Sequence, residues 1–120
     1  MATEKRITGN LGEDFAENYF KKQGFTTQRN YHSRYGEIDL IAQNDEYILF
    51  VEVKTRKAGT MVSPVEAVDY RKQQKIILTA EAYMSKNSCE KQPRFDIFEA
   101  WQNEGRIFKF NHIKSAFDAG

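Results

Sequence analysis

The chain has 120 residues, of which 40% belong to the AVILMFWYC set and 29% are charged, with a formal net charge of +1. This balance predicts one soluble globular domain over residues 1–120 and excludes a disordered or fibrous chain; no apolar run nears the roughly 18 residues a membrane helix needs. A single cysteine, Cys89, excludes an internal disulfide and a multi-cysteine zinc site, and two histidines, His32 and His112, are too few for a histidine-rich metal centre.

The first residues, Met1–Arg6, carry no apolar leader, so the expected setting is a reducing cytosol. Thr8 to Gln23 reads as the first helix, because Leu11, Phe15 and Tyr19 recur every four residues and Ala16 and Phe20 widen the stripe. Gly24 stops it. Phe25 to Tyr31 reads as a strand rich in Thr and aromatic residues. Glu37 to Gln43 reads as a second strand, with Ile38, Leu40 and Ala42 on one face. Tyr47 to Thr55 is a third strand, apolar on both faces and therefore central. Ser63-Pro64-Val65-Glu66 carries a capping-box helix start; that helix, interrupted near Asp69, runs to about Lys86. Its inward stripe is Gln73, Ile76, Ile77, Ala80 and Met84. Arg94 to Trp101 and Arg106 to Ile113 are two more strands around the turn Asn103-Glu104-Gly105. The predicted order α-β-β-β-α-β-β is an α/β domain built on one mixed sheet flanked by helices.

Chemistry concentrates on the second and third strands. With Asp45 and Glu46 as a two-residue hairpin loop, Ile41 faces Phe50, Asp39 faces Glu52 and Glu37 faces Lys54. Two opposed carboxylates repel unless positive charge lies between them. Lys54 supplies part of that charge and a divalent cation could supply the rest. A hard cation such as Mg²⁺ takes oxygen ligands, keeps several waters and promotes phosphodiester hydrolysis. A surface Glu–Lys pair beside a solvated Asp39 is the competing reading of the same spacing.

Asp39 followed by Glu52-Val53-Lys54 resembles the D…(E)xK signature of the PD-(D/E)xK nucleases. More narrowly, the chain resembles the YraN family of bacterial proteins over nearly its whole length. The matching blocks are Gly9–Glu13, Gly36–Ile41, Phe50–Arg56 and Arg94–Ile97, in that order. The resemblance implies a restriction-endonuclease-like αβββαβ core, similar to Holliday-junction resolvases, with an extra C-terminal strand. It implies that Asp39 and Glu52 hold Mg²⁺ or Mn²⁺, that Lys54 is the catalytic lysine, and that Glu13 joins the site from the first helix as a further metal residue, supporting a second ion or orienting the attacking water. Ile38 stands where many nucleases of this kind have proline.

Around that centre, Lys72, Gln73 and Lys75 on the second helix are candidates to approach a phosphate, and Arg34, Arg56 and Lys57 flank the open end of the hairpin. Solvated surface is the plain alternative for each. Glu37 is expected to pair with Lys54 or to stand at the rim. Asp96 reads as a structural acceptor, and Phe95, Ile97 and Trp101 as core. The expected function is a metal-dependent endonuclease acting on DNA, branched DNA first. Cutting both strands needs two sites, which a homodimer would supply. The rival is a non-catalytic nucleic-acid-binding or partner-binding module on the same fold, which the near-neutral net charge suits.

Overall fold

The computed structural model describes residues 4–60 and 68–119, and for residues 4–10 the backbone alone. The elements are α1 (Glu4–Lys22), β1 (Thr26–Ser33), β2 (Gly36–Gln43), β3 (Tyr47–Lys57), α2 (Tyr70–Lys86), β4 (Gln92–Asn103) and β5 (Arg106–Phe117). This is the predicted order, with β1, β3, β4 and β5 each running past the expected end. The predicted capping box Ser63–Glu66 lies outside the described residues. Asp69 caps α2, its carboxylate accepting from the Lys72 amide at 2.9 Å.

The five strands lie in the order β1-β2-β3-β4-β5. Every neighbouring pair is antiparallel except β3 and β4, which are parallel and joined through α2. A parallel pair needs such a crossover. α1 covers one face: Ala16 and Phe20 pack on Leu40, Ala42, Leu49, Val51, Phe98 and Ala100. α2 covers the other, where Ile76, Ile77, Ala80 and Tyr83 meet Ile41, Ile48, Phe50, Phe95 and Ile97. The alternating apolar residues of β3 serve both layers, which is why it reads as central.

The β2–β3 turn follows the predicted register. The Asn44 side chain accepts from the Glu46 and Tyr47 amides, and its own N–H donates to the Tyr47 carbonyl at 3.0 Å. Pairing then runs Gln43↔Ile48, Ala42↔Leu49, Ile41↔Phe50 and Leu40↔Val51. The ladder stops there, one pair short of Asp39 and Glu52. One expectation is overturned: Ile38 does not share a face with Leu40 and Ala42. It packs on the α2 side with Ile41 and Tyr31. The cause is a local break in alternation. Between the pairs Arg29↔Leu40 and Tyr31↔Ile38 no Asn30–Asp39 pair forms, and Asn30 takes φ 54°. The side-chain sequence therefore slips by one position at Asp39.

Candidate active site

The slip at Asp39 frees its carboxylate from both core layers. It turns towards β3, where Oδ2 accepts the Val53 amide at 2.9 Å. A side chain thus takes the donor that the next ladder bond would have used, and the sheet splits between β2 and β3. Glu52, on the α2 side of β3, is only 6% exposed. Its carboxyl is in hydrogen-bonding contact with that of Asp39. The competing picture of a solvated surface pair does not describe this environment.

The charge balance follows from burial. Burial, then the hydrogen bond and charge of Glu52, push the Asp39 carboxyl up to about 8. Burial also acts against ionised Glu52, but the Asp39 proton and the Lys72 ammonium outweigh it and hold Glu52 below its usual range. The two carboxyls therefore share one proton near neutral pH. Lys72 Nζ lies 2.6 Å from Glu52 Oε2. That buried oxygen nonetheless has no well-aimed hydrogen-bond donor among the described residues. Lys54 stands beside Glu52 and Lys72, and burial pulls its ammonium below the ordinary lysine range.

Glu13 reaches the split from the other side of the sheet. Its carboxylate is close enough to add to the negative field at Asp39. Arg29 of β1 holds it at 3.2 Å and also binds Asp14. Gly12 makes this approach possible. A Cβ there would lie 1.8 Å from Thr55 Oγ1, so only glycine lets α1 come this close to β3.

The remaining sequence candidates divide. Lys75 stands with Lys72 at a cavity beside the carboxyl pair. Gln73 instead donates to the Val68 carbonyl at 2.9 Å and acts as a helix-start ligand. Arg56 is drawn inward, its Nε bound to Glu99, a carboxylate only 1% exposed. It cannot also serve as an open phosphate contact. Arg34 is exposed and lies over the Tyr35 ring, and Lys57 is exposed at the end of β3. Glu37 does not pair with Lys54; it meets His32 at 3.1 Å on the β1–β2 hairpin. Asp96 is structural, accepting from Arg94, His112 and the Ser115 amide.

Sequence reasoning missed two contributors. Arg29, which positions Glu13, lies in a strand with no visible motif. Arg71, which lines the cavity, was legible only as one more basic residue before Lys72.

Among the described residues, no three His, Cys, Asp or Glu side chains gather closely enough to wrap an ion by themselves. Two carboxylates fit a hydrated Mg²⁺ or Mn²⁺, which keeps several waters. Glu52 Oε2 is buried and already faces a cation, the Lys72 ammonium at 2.6 Å, so it is an oxygen suited to a positive ligand.

Fold and centre define a small α/β protein in which the half-buried Asp39 and the buried Glu52 meet where the sheet divides. The model described as "Uncharacterised protein family UPF0102" matches residues 12–99, and the chain belongs to that family, which is the YraN family. It is 44% identical over 117 residues to a UPF0102 protein of Caldanaerobacter subterraneus subsp. tengcongensis, covering 94% of this chain and 96% of the relative. A UPF0102 protein of Clostridium acetobutylicum is 46% identical over 114 residues, covering 91% and 92% respectively. One from Desulforapulum autotrophicum is 40% identical over 119 residues, covering 98% of each chain. No described helix is long and apolar enough to cross a membrane.

Proposed function

We propose that the protein is a metal-dependent endonuclease that hydrolyses phosphodiester bonds in DNA in the cytoplasm. The observation that carries this reading is the Asp39–Glu52 carboxyl pair beside Lys54, Glu52 buried and Asp39 half-buried, at a split in the sheet. Asp39 and Glu52 would hold Mg²⁺ or Mn²⁺. When bound, the ion would polarise a phosphoryl oxygen and make water a stronger nucleophile. Lys54 then offers an ammonium to the charge that develops on the phosphoryl group in the transition state. Its partly desolvated setting strengthens that interaction. Glu13, fixed by Arg29, adds a carboxylate on the far side of the split, where it can accept a proton from the attacking water or support a second ion. Lys72 neutralises Glu52 and stands ready to meet substrate phosphate. Branched DNA is the first substrate to try, and a homodimer would supply the two sites that cutting both strands requires.

The test combines binding and turnover. Calorimetric titration with Mg²⁺ and Mn²⁺ is paired with a cleavage screen over single-stranded, duplex, flapped and four-way DNA. The expected result is binding of at least one ion, with metal-dependent cutting that Asp39→Asn abolishes. If the wild-type chain binds neither ion at millimolar concentration, the catalytic reading fails and the non-catalytic module takes its place.

A further inference from the structure

Beside the carboxyl pair, between the N-terminal turns of α2 and the start of β2, lies a cavity of about 390 Å³. Its cationic wall is Arg71, Lys72 and Lys75, and Ile76 adds apolar surface. Opposite stand Gly36 and Glu37, with Gly36 close against α2; a Cβ there would lie 3.2 Å from Thr79 Oγ1 and 3.7 Å from Lys75 Cβ. The two acids of the lining are already engaged. Glu37 meets His32, and the Asp69 carboxylate accepts the Lys72 amide. The lining sets three cations, Arg71, Lys72 and Lys75, against two carboxylates, Glu37 and Asp69, and among the described residues Arg71 and Lys75 form no ion pair with an acid. Lys72 joins this cavity to the candidate centre, because it lines the one and its Nζ reaches Glu52 of the other.

Two exposed aromatic residues are chain neighbours of lining residues without themselves lining the cavity. Tyr70, between Asp69 and Arg71, is 74% exposed, and Tyr35, next to Gly36, is 39% exposed. Arg34 lies over the Tyr35 ring with its guanidinium carbon 4.9 Å from the centroid. Cations interleaved with exposed aromatic rings are the chemistry that binds an unpaired polynucleotide strand: phosphates meet the cations and bases stack on the rings. A duplex keeps its bases stacked inside and cannot place one in a concave pocket, whereas an unpaired strand can.

We propose that this cavity is a binding subsite for an unpaired DNA strand, feeding its backbone past Lys72 towards Asp39 and Glu52. The ligand is a nucleotide or two next to the phosphate at the centre. Phosphates pair with Arg71 and Lys75, and a base lies against Tyr70. Of the branched DNAs, the favoured form is then one that presents a single-stranded arm. That this strand is also the one cut rests on the nuclease reading above; its binding does not.

The experiment is therefore run without metal. Fluorescence anisotropy in EDTA follows a labelled fifteen-nucleotide oligo-dT and the same strand annealed to oligo-dA. Thermal melts confirm that each variant is folded. The wild-type chain is expected to bind the single strand about tenfold tighter than the duplex. The double variant Arg71→Ala/Lys75→Ala is expected to lower the slope of log K against log salt by about 1.4, two contacts at about 0.7 each for a single strand. Tyr70→Ala should weaken single-strand binding at least about fivefold with the salt slope unchanged. Lys86→Ala, at the far end of α2, controls for net charge and should match wild type. Equal affinity for both DNAs overturns the subsite, as does a folded double variant that binds like wild type or like Lys86→Ala. Single-strand binding that follows these residues in a chain that takes up no Mg²⁺ or Mn²⁺ would uphold the subsite and overturn the nuclease reading.

Discussion

Asp39 is held by the Val53 amide, shares a proton with the Glu52 carboxyl and feels the like charge of the more distant Glu13. Its carboxyl rises from 3.8 to about 8, with burial the largest cause. The folded chain thus keeps a proton that the unfolded chain releases, and stability falls as pH rises through that window. Glu52 is shifted the other way, so the stability it adds is present above 4.5 and is lost only as the solution turns acid. Asp39→Asn should therefore flatten the fall in melting temperature between pH 5 and about 8 and raise the metal-free melting temperature at pH 8. Melts in EDTA across that range check it, and an unchanged slope would assign the titration elsewhere. The two lysines should separate. Lys54→Met is expected to slow cleavage by about 10²–10³-fold while metal-linked stabilisation persists. Lys72→Met removes the ammonium 2.6 Å from Glu52. It should enlarge the thermal shift given by a sub-saturating concentration of Mn²⁺.

At the level of elements, the site depends on how closely α1 lies on β3. Gly12→Ala would drive a methyl into Thr55, whose Oγ1 would be 1.8 Å away and whose Cβ 3.0 Å away. Either α1 moves out or β3 gives way, and Glu13, the next residue, moves with the helix. The expected cost is about 1–3 kcal/mol in urea denaturation, the usual range for overpacking. Thr55→Gly in the same chain should recover much of it, whereas a helix-propensity effect alone would make Gly12→Ala stabilising. β5 is tied to β4 by a different device. The buried Asp96 accepts from Arg94 and His112, and the His112 ring bridges onward to the Tyr19 hydroxyl of α1. Burial opposes ionised Asp96, but His112 and Arg94 outweigh it and hold the group low. This network pins the last strand to the first helix without taking part in the candidate centre.

For the molecule as a whole, a cation bound by the native pair and not by the unfolded chain must raise stability by mass action. A hundredfold excess over Kd is worth about 2.7 kcal/mol, on the order of 10 °C for a domain of this length. Mg²⁺ or Mn²⁺ should produce that shift in wild type and none in Asp39→Asn, read by differential scanning fluorimetry with Ca²⁺ as a non-catalytic comparison. The net charge of +1 does not argue against a nucleic-acid substrate. Three cations, Arg71, Lys72 and Lys75, gather on the first turns of α2 at the cavity.

The sequence by itself determined the element order, the β2–β3 register and the meeting of Asp39 with Glu52 and Lys54. The turn and register are local: a two-residue turn after Asn44 sets the pairing, and alternation carries it as far as Leu40 and Val51, beyond which Asp39 reaches Glu52 by turning towards β3 where the alternation breaks. The α1 stripe of Phe15, Ala16, Tyr19 and Phe20 was legible for the same reason, because a helix repeats its inward face at fixed spacing. Only the tertiary structure decided the rest. Alternation assigned Ile38 to the wrong face, since the left-handed Asn30 that breaks it has no periodic signature. Basic residues that look alike in the chain met different fates. Arg56 found Glu99 across the parallel β3–β4 pair, Arg29 found Glu13 on α1, and Lys72 came down on Glu52 from α2. A long cation can reach a carboxylate on any neighbouring element. Which one it reaches is fixed by how the helices sit on the sheet, a long-range outcome of packing that no local pattern records.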